Sequence, residues 1–315
     1  MSYTGPGFDP PQPRRSRRGP LTVALAALVP GALLGWAVYA AVGGPGGDEG
    51  AGSATASASP STSASASSRA SSPAPSAGSE DEKPGASAAA DGPLRGKVVV
   101  IDPGHNPENF KHTAEINRQV DIGTNRKECD TTGTSTDDGY AEADFTLDVA
   151  HRMRALLEEQ GATVKLTQDG DRPFGPCVDE RARIGNRAKA DAVVSIHADG
   201  SGTGNRGFHV ILPGAVRAGA ADTRAIVEPS GDLGTRIAGN FVRVTGSAPA
   251  DYVGGGTGLV TRKDLGGLNL STVPKVFIEC GNMRDSKDAA LLTSGAWRQK
   301  AAQGISDGIV SFLRG

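Results

Sequence analysis

The sequence predicts an α/β fold for residues 93–315: one three-layer domain, with a mixed, mostly parallel sheet flanked by helices and a polar site at the carboxyl ends of the strands. Three observations predict it. Short apolar, β-branched runs recur, as in Val98–Ile101, Asp191–Ala198 and Lys275–Glu279, and runs of that kind suit strands buried on both faces. Helix-period stretches alternate with them. Each of the three runs also delivers a histidine or a glutamate at or just beyond its end, where open α/β sheets place their ligands.

The remainder of the chain sets the boundaries of that domain. Arg14, Arg15, Arg17 and Arg18 lie in a basic tail, residues 1–20, ahead of Leu21–Val42, an uncharged stretch of 22 residues. At helical rise such a stretch crosses a bilayer core of about 30 Å. The expectation is a transmembrane anchor at 21–42, with the arginines inside and everything after Val42 outside, on a single-pass cell-membrane protein. The competing readings are a signal peptide cleaved after Val38-Tyr39-Ala40, which leaves a secreted protein, and a twin-arginine signal. Of the 50 residues 43–92, 42 are Ala, Ser, Gly, Pro or Thr, and such composition cannot bury enough apolar surface to offset its ordering entropy. It is expected to be a disordered linker.

Residues 93–315 carry 27 Lys+Arg against 28 Asp+Glu, a balance that gives no sign of a nucleic-acid partner, and none is expected. Gly202-Thr203-Gly204-Asn205-Arg206-Gly207 fits G-x-G-x-x-G but leads into Phe208–Leu212, a strand, where a dinucleotide site needs a helix. No P-loop is present, so no nucleotide is expected.

In chain order, Val98–Ile101 is the first strand, broken by Asp102-Pro103-Gly104 before His105. The run 106–141 has no sustained hydrophobic period and reads as a long functional loop. Glu142–Gln160 follows as an amphipathic helix, with Phe145, Thr146, Val149, Ala150, Met153, Leu156 and Leu157 within a stripe of about 140°. Glu142 falls in the middle of that stripe, and a carboxylate on a core-facing side needs a partner. His151 lies opposite and is read as solvated. Ala162–Gln168 is a strand, Cys177–Lys189 a helix, and Asp191–Ala198 a strand ending at His197. Arg206–Pro213 is a strand with His209 on its second face, read as structural. Helices at 226–244 and 297–313 enclose the strand Lys275–Glu279. Cys129 and Cys177 sit in loop-like sequence, and in an exported domain they are expected to be bridged, while Cys280 packs as a small apolar residue.

His105, Glu142, His197 and Glu279 make one constellation. Two imidazoles and a carboxylate are a common set for one catalytic Zn2+, with the fourth position open to water. A second carboxylate then serves as general acid/base. His105-Asn106-Pro107-Glu108 is an H-x-x-E, a spacing that also holds zinc, so spacing leaves Glu108 and Glu142 comparable. HExxH and Gly-x-Ser-x-Gly motifs are absent.

From Lys97 to Leu313 the chain resembles the zinc-dependent N-acetylmuramoyl-L-alanine amidases of the type-3 family. The matching pieces are VVVIDPGHN, the Glu142 opening a helix that runs into LEEQGATVKLTQ, ERARIGNRAKADAVVSIHADG, and VPKVFIECGNMRDSKDAALL. The resemblance implies that His105, Glu142 and His197 bind zinc, which favours Glu142 over Glu108, and that Glu279 is catalytic. It implies peptidoglycan as substrate, with hydrolysis of the amide between the lactyl group of N-acetylmuramic acid and the first L-alanine of the stem peptide. Two departures are the long insert containing Cys129, and Cys280-Gly281-Asn282-Met283 where many members have Gly-Phe. Arg262 and Asn269, in TRKDLGGLNL, are expected with the insert at the substrate rim, because arginine suits the carboxylates of a stem peptide. The competing functions are a different zinc peptidase acting on stem peptides and a wall-binding protein without turnover.

Overall fold

The computed structural model describes residues 92–315. The expected basic tail 1–20, membrane anchor 21–42 and linker up to residue 91 lie outside the described residues. Among the described residues no helix is long and apolar enough to cross a membrane.

Strand β1 is Val98–Pro103. The insert that follows holds more local structure than its missing periodicity suggests. It contains a 3-10 turn at Asn109–Lys111, a short helix α1 at Thr113–Ile116, and an antiparallel hairpin of β2 (Gln119–Asp121) and β3 (Arg126–Glu128). Three-residue strands are too short to show alternation in sequence. Helix α2 is Glu142–Glu159, β4 is Thr163–Leu166, α3 is Val178–Ala188 and β5 is Ala192–Asp199. Next come β6 (His209–Pro213), a two-residue ribbon of β7 (Arg217–Ala218) and β8 (Ala221–Asp222), and α4 (Val227–Thr245). Pro229 sits in the first turn of α4, where its missing N–H is not needed. Strand β6 starts later than expected because Arg206 and Gly207 are held by Asp288 rather than by a neighbouring strand.

The chain ends with β9 (Leu259–Arg262), α5 (Gly266–Asn269), β10 (Lys275–Asn282), α6 (Ser286–Leu292) and α7 (Gly295–Leu313). Asp285 caps α6 by accepting from the backbone of Lys287 and Asp288.

The main sheet has the order β4-β1-β5-β10-β6-β9. All its pairings are parallel except β10 with β6. This is the mixed, mostly parallel sheet that the sequence predicts, flanked by helices on both faces in one domain.

Alternation along the strands separates the two faces. Val99, Ile101, Val194, Ile196, Val276 and Ile278 point into the large core with α2, α4 and α7. Val100 and Val193 point the other way, into a small cluster against Ile184, Ala188 and Val273. That second face is covered by α3 only in part. Beyond Val100 and Val193 the same parity presents Asp102, Ser195, His197, Phe277 and Glu279, so this half of the face is mostly polar.

Candidate active site

Three donors converge at the carboxyl ends of β1 and β5 and the first turn of α2. The donor atoms of His105, Glu142 and His197 all lie within 4.8 Å of one another. Glu142 Oε1 is 3.2 Å from His105 Nε2 and 3.0 Å from His197 Nδ1. Tetrahedral zinc with bonds of about 2.0–2.1 Å sets neighbouring donors roughly 3.3 Å apart, so the spacing fits such an ion. The outer ring nitrogens are held as well. His105 Nδ1 faces the Thr131 carbonyl at 3.1 Å, and His197 Nε2 faces Ser195 Oγ at 3.2 Å. Metal-binding imidazoles use their second nitrogen in this way.

Local backbone brings these groups in. His105 adopts φ +62°, a left-handed conformation uncommon for a residue with a side chain. Gly104 before it leaves room for the neighbouring imidazole: a Cβ there would lie 2.3 Å from His197 Cε1. Thr146, one turn after Glu142, donates its hydroxyl to the Gly104 carbonyl at 2.8 Å and so fixes the start of α2 against the end of β1. Glu142 Oε2 accepts from the Thr134 N–H at 2.9 Å, which turns Oε1 toward the imidazoles.

Electrostatics follow from burial and proximity. Burial opposes charge on His105, but Glu142 and Asp130 outweigh it and raise its pKa to about 10. Glu142 is buried, which works against ionisation, yet His105 and His197 hold it far below the usual carboxylate range. A cation bound by the three would take the place of that proton. Glu279 behaves in the opposite way: burial, then the charges of Glu142 and Asp199, push its pKa well above the ordinary value.

Glu279 is the register partner of His197 and stands at the floor of a cleft of about 290 Å³. Gly133, Asp199, Ile211, Arg262 and Leu265 line the same cleft. Arg262 is therefore at the rim, where it pairs with Asp264 at 2.6 Å. Asn269, expected beside it, is placed elsewhere. It is 1% exposed, and its amide donates to Thr124 Oγ1 and to the Lys263 carbonyl, tying loops together beneath the surface. The insert does reach the site, through Thr131 and Gly133 in the cleft and through Lys127, Glu128 and Asp130 in an adjoining recess of about 210 Å³. Glu108, the rival ligand by spacing, turns to Lys111 at the surface. Cys129 and Cys177 are bridged across a sequence separation of 48, and Cys280 is free and buried. His151 pairs with Asp169 at the surface.

Sequence reasoning missed the surrounding polar residues. Ser195 and Asp199 lie two positions either side of His197, so strand alternation puts them on its face. Asp199 accepts from the Tyr252 hydroxyl at 2.7 Å. His209 is opposite Glu279 on the antiparallel neighbour, so it shares the face of the site, where it is buried.

Comparison with known proteins accords with this geometry. The family described as N-acetylmuramoyl-L-alanine amidase matches residues 99–311. The chain is 39% identical over 229 residues to the N-acetylmuramoyl-L-alanine amidase Rv3717 of Mycobacterium tuberculosis, a match spanning 72% of this chain and 91% of that protein. The crystal structure of the N-acetylmuramyl-L-alanine amidase Ami1 from Mycobacterium smegmatis superposes with a TM-score of 0.64 at 42% identity, covering 70% of this chain and 98% of that one. Ami1 from Mycobacterium abscessus, in its apo form, gives a TM-score of 0.64 at 41% identity, covering 70% and 100%. With a family model matching most of the folded region and a relative at 39% identity, the chain belongs to the N-acetylmuramoyl-L-alanine amidase family.

Proposed function

We propose that this protein is a zinc-dependent peptidoglycan amidase that cleaves the amide between the lactyl group of N-acetylmuramic acid and the L-alanine of the stem peptide. One observation carries the reading: two imidazoles and a carboxylate converge within 4.8 Å, beside a second carboxylate that is not one of the three. His105, Glu142 and His197 would hold the ion. Zinc bound there supplies Lewis acidity and a water acidified to a pKa of about 7.

The chain's own residues do the rest. Glu279 accepts a proton from the attacking water and passes it to the departing L-alanine nitrogen. A carboxyl whose pKa is pushed up by burial and by Glu142 and Asp199 is suited to hold that proton between the two steps. Leu265 and Phe277 line the walls and limit water around it. Arg262 and the insert 106–141 are the proposed rim for the stem peptide, with the Arg262 guanidinium facing its carboxylates. The Cys129–Cys177 bridge suits an oxidising compartment, which agrees with a chain anchored by residues 21–42, spaced by residues 43–92, and catalytic at 93–315 outside the cell membrane.

The test is mass spectrometry of muropeptides after incubation of purified wall with the full chain, with metal counted by elemental analysis. Free stem peptides beginning with L-alanine, and one zinc per chain, are expected. Products cut within the stem would point to a peptidase, and intact wall to a binding protein.

A further inference from the structure

The donors that touch the ion in this reading are only the inner part of a larger buried arrangement, and one side chain lies at its centre. Arg181, on α3, is 5% exposed. All five of its N–H groups have an acceptor. Nε donates to the Pro176 carbonyl at 2.9 Å. Nη1 donates to Asp102 Oδ1 at 2.9 Å and to the Pro103 carbonyl at 2.5 Å. Nη2 donates to Asp130 Oδ2 at 2.9 Å and to the His105 carbonyl at 2.8 Å.

Three of these bonds reach the two histidines, directly or through one further side chain. Asp130, held by Nη2, has its other oxygen 3.5 Å from His105 Nδ1. Asp102, held by Nη1, accepts from Ser195 Oγ at 2.9 Å, and Ser195 Oγ is 3.2 Å from His197 Nε2. The bond to the His105 carbonyl pins the residue whose backbone is left-handed. One guanidinium thus restrains the ring of His105, the backbone of His105 and the ring of His197.

We propose that Arg181 is the positioning residue of this site, fixing both imidazoles in the orientation in which they take up a metal ion; the inference rests on the reading of His105, Glu142 and His197 as ligands. The plain alternative is a buried ion network that serves folding only. Two features argue against it. Asp102 already has a second cation, the buried Lys275, at 2.9 Å, so compensation of its charge does not require Arg181. The planar fork is also used in full, and two of its acceptors are the carbonyls on either side of Gly104, a geometry lysine cannot reproduce.

The experiment compares zinc dissociation constants of the full chain, measured by chelator competition, for the unsubstituted protein and for Arg181→Lys, Asp130→Asn, Ser195→Ala and Phe241→Leu, with folding of each checked by circular dichroism. Phe241 is buried in the large core away from the site and controls for lost stability alone. Arg181→Lys should weaken zinc binding about 10–100-fold, the usual cost of losing an outer partner of a metal-binding histidine. Asp130→Asn and Ser195→Ala should each weaken it by less, and Phe241→Leu should leave it unchanged. Arg181→Lys combined with Asp130→Asn should cost less than the two separate losses multiplied, because both act through His105. The visible spectrum of the cobalt-loaded chain should change with Arg181→Lys and not with Phe241→Leu. Should Arg181→Lys fail to fold, Asp130→Asn and Ser195→Ala carry the test, and normal zinc affinity in both overturns the proposal. Folded Arg181→Lys with unchanged affinity, or an equal loss in Phe241→Leu, overturns it while leaving the site reading intact. An unsubstituted chain that binds no zinc overturns both.

Discussion

Glu279 and His197 are register partners on the neighbouring parallel strands β10 and β5, so a partly buried carboxyl stands beside an imidazole of the donor triad without joining it. A glutamate in that place can exchange protons with a water at the site, while a fourth protein ligand would close the site and leave no room for one. Glu279→Gln keeps the shape and removes the proton acceptor. It should retain one zinc per chain and lose about 2–4 orders of magnitude in rate, the usual contribution of a positioned acid/base group. Elemental analysis beside turnover on purified wall checks this, and loss of metal would make Glu279 a ligand.

The same residue makes a prediction about pH in the metal-free chain. A carboxyl whose pKa is raised on folding keeps its proton in the folded state where the unfolded chain has lost it. Its contribution is complete below the unfolded value of about 4.5 and falls away as pH rises toward the folded value. Chelated Glu279→Gln should therefore gain thermal stability relative to the chelated unsubstituted chain as pH is raised from 5 to 8. Melting curves at the two pH values decide it; a constant difference would show that Glu279 does not titrate in this way.

Gly104 has no room for a side chain, since an added Cβ would lie 2.3–2.7 Å from three atoms of the His197 ring. Gly104→Ala should displace that imidazole at a cost of about 1–3 kcal/mol in stability, the usual range for overpacking. Zinc content and rate should fall together, in contrast to Glu279→Gln. Normal zinc content in a folded Gly104→Ala chain would mean that His197 is not a ligand in its present rotamer.

The Cys129–Cys177 bridge joins the insert to the start of α3, one turn before Arg181. Thiol labelling of the unfolded, unreduced chain should find Cys280 alone. Replacing both bridged residues by serine should lower unfolding free energy by about 2–4 kcal/mol through the freed loop. Equal denaturation midpoints would show that the bridge leaves stability unaffected.

Arg262 lines the cleft and is partly solvated, with Asp264 as its partner. Arg262→Ala should lower kcat/KM on wall fragments about tenfold, the scale of one charged hydrogen bond, and leave zinc content unchanged. Unaltered kinetics would retire Arg262 as a rim residue.

Much of the scaffold was legible because apolar runs with a polar terminus are a local signal. Val99–Ile101, Ala192–Ile196, Val276 and Ile278 are buried as their composition requires, and each run brings its histidine or glutamate to one edge. The short elements were not legible. Strand β9 reads LVTR and helix α5 reads GGLN, four residues each, and neither is long enough for a period to emerge. Asn269 illustrates the same limit: proximity in sequence to the strand of Glu279 suggested the rim, while the turn of α5 points it inward to Thr124 and Lys263.

By itself the sequence determined where strands end and which residue types stand there, because strand propensity and chain breaks at Pro103 and Gly104 act over a few residues. The family resemblance rested on those same stretches. Only the tertiary structure decided which polar groups meet. Placing β1, β5 and β10 side by side, with α3 packed against them, brings residues 102, 181, 195 and 275 within hydrogen-bond reach, although up to 173 positions separate them in the chain. Arg181, on α3, is 5% exposed and Lys275, at the start of β10, is 1% exposed. Their burial follows from sheet order and helix packing, which depend on pairings between distant segments and have no local signature.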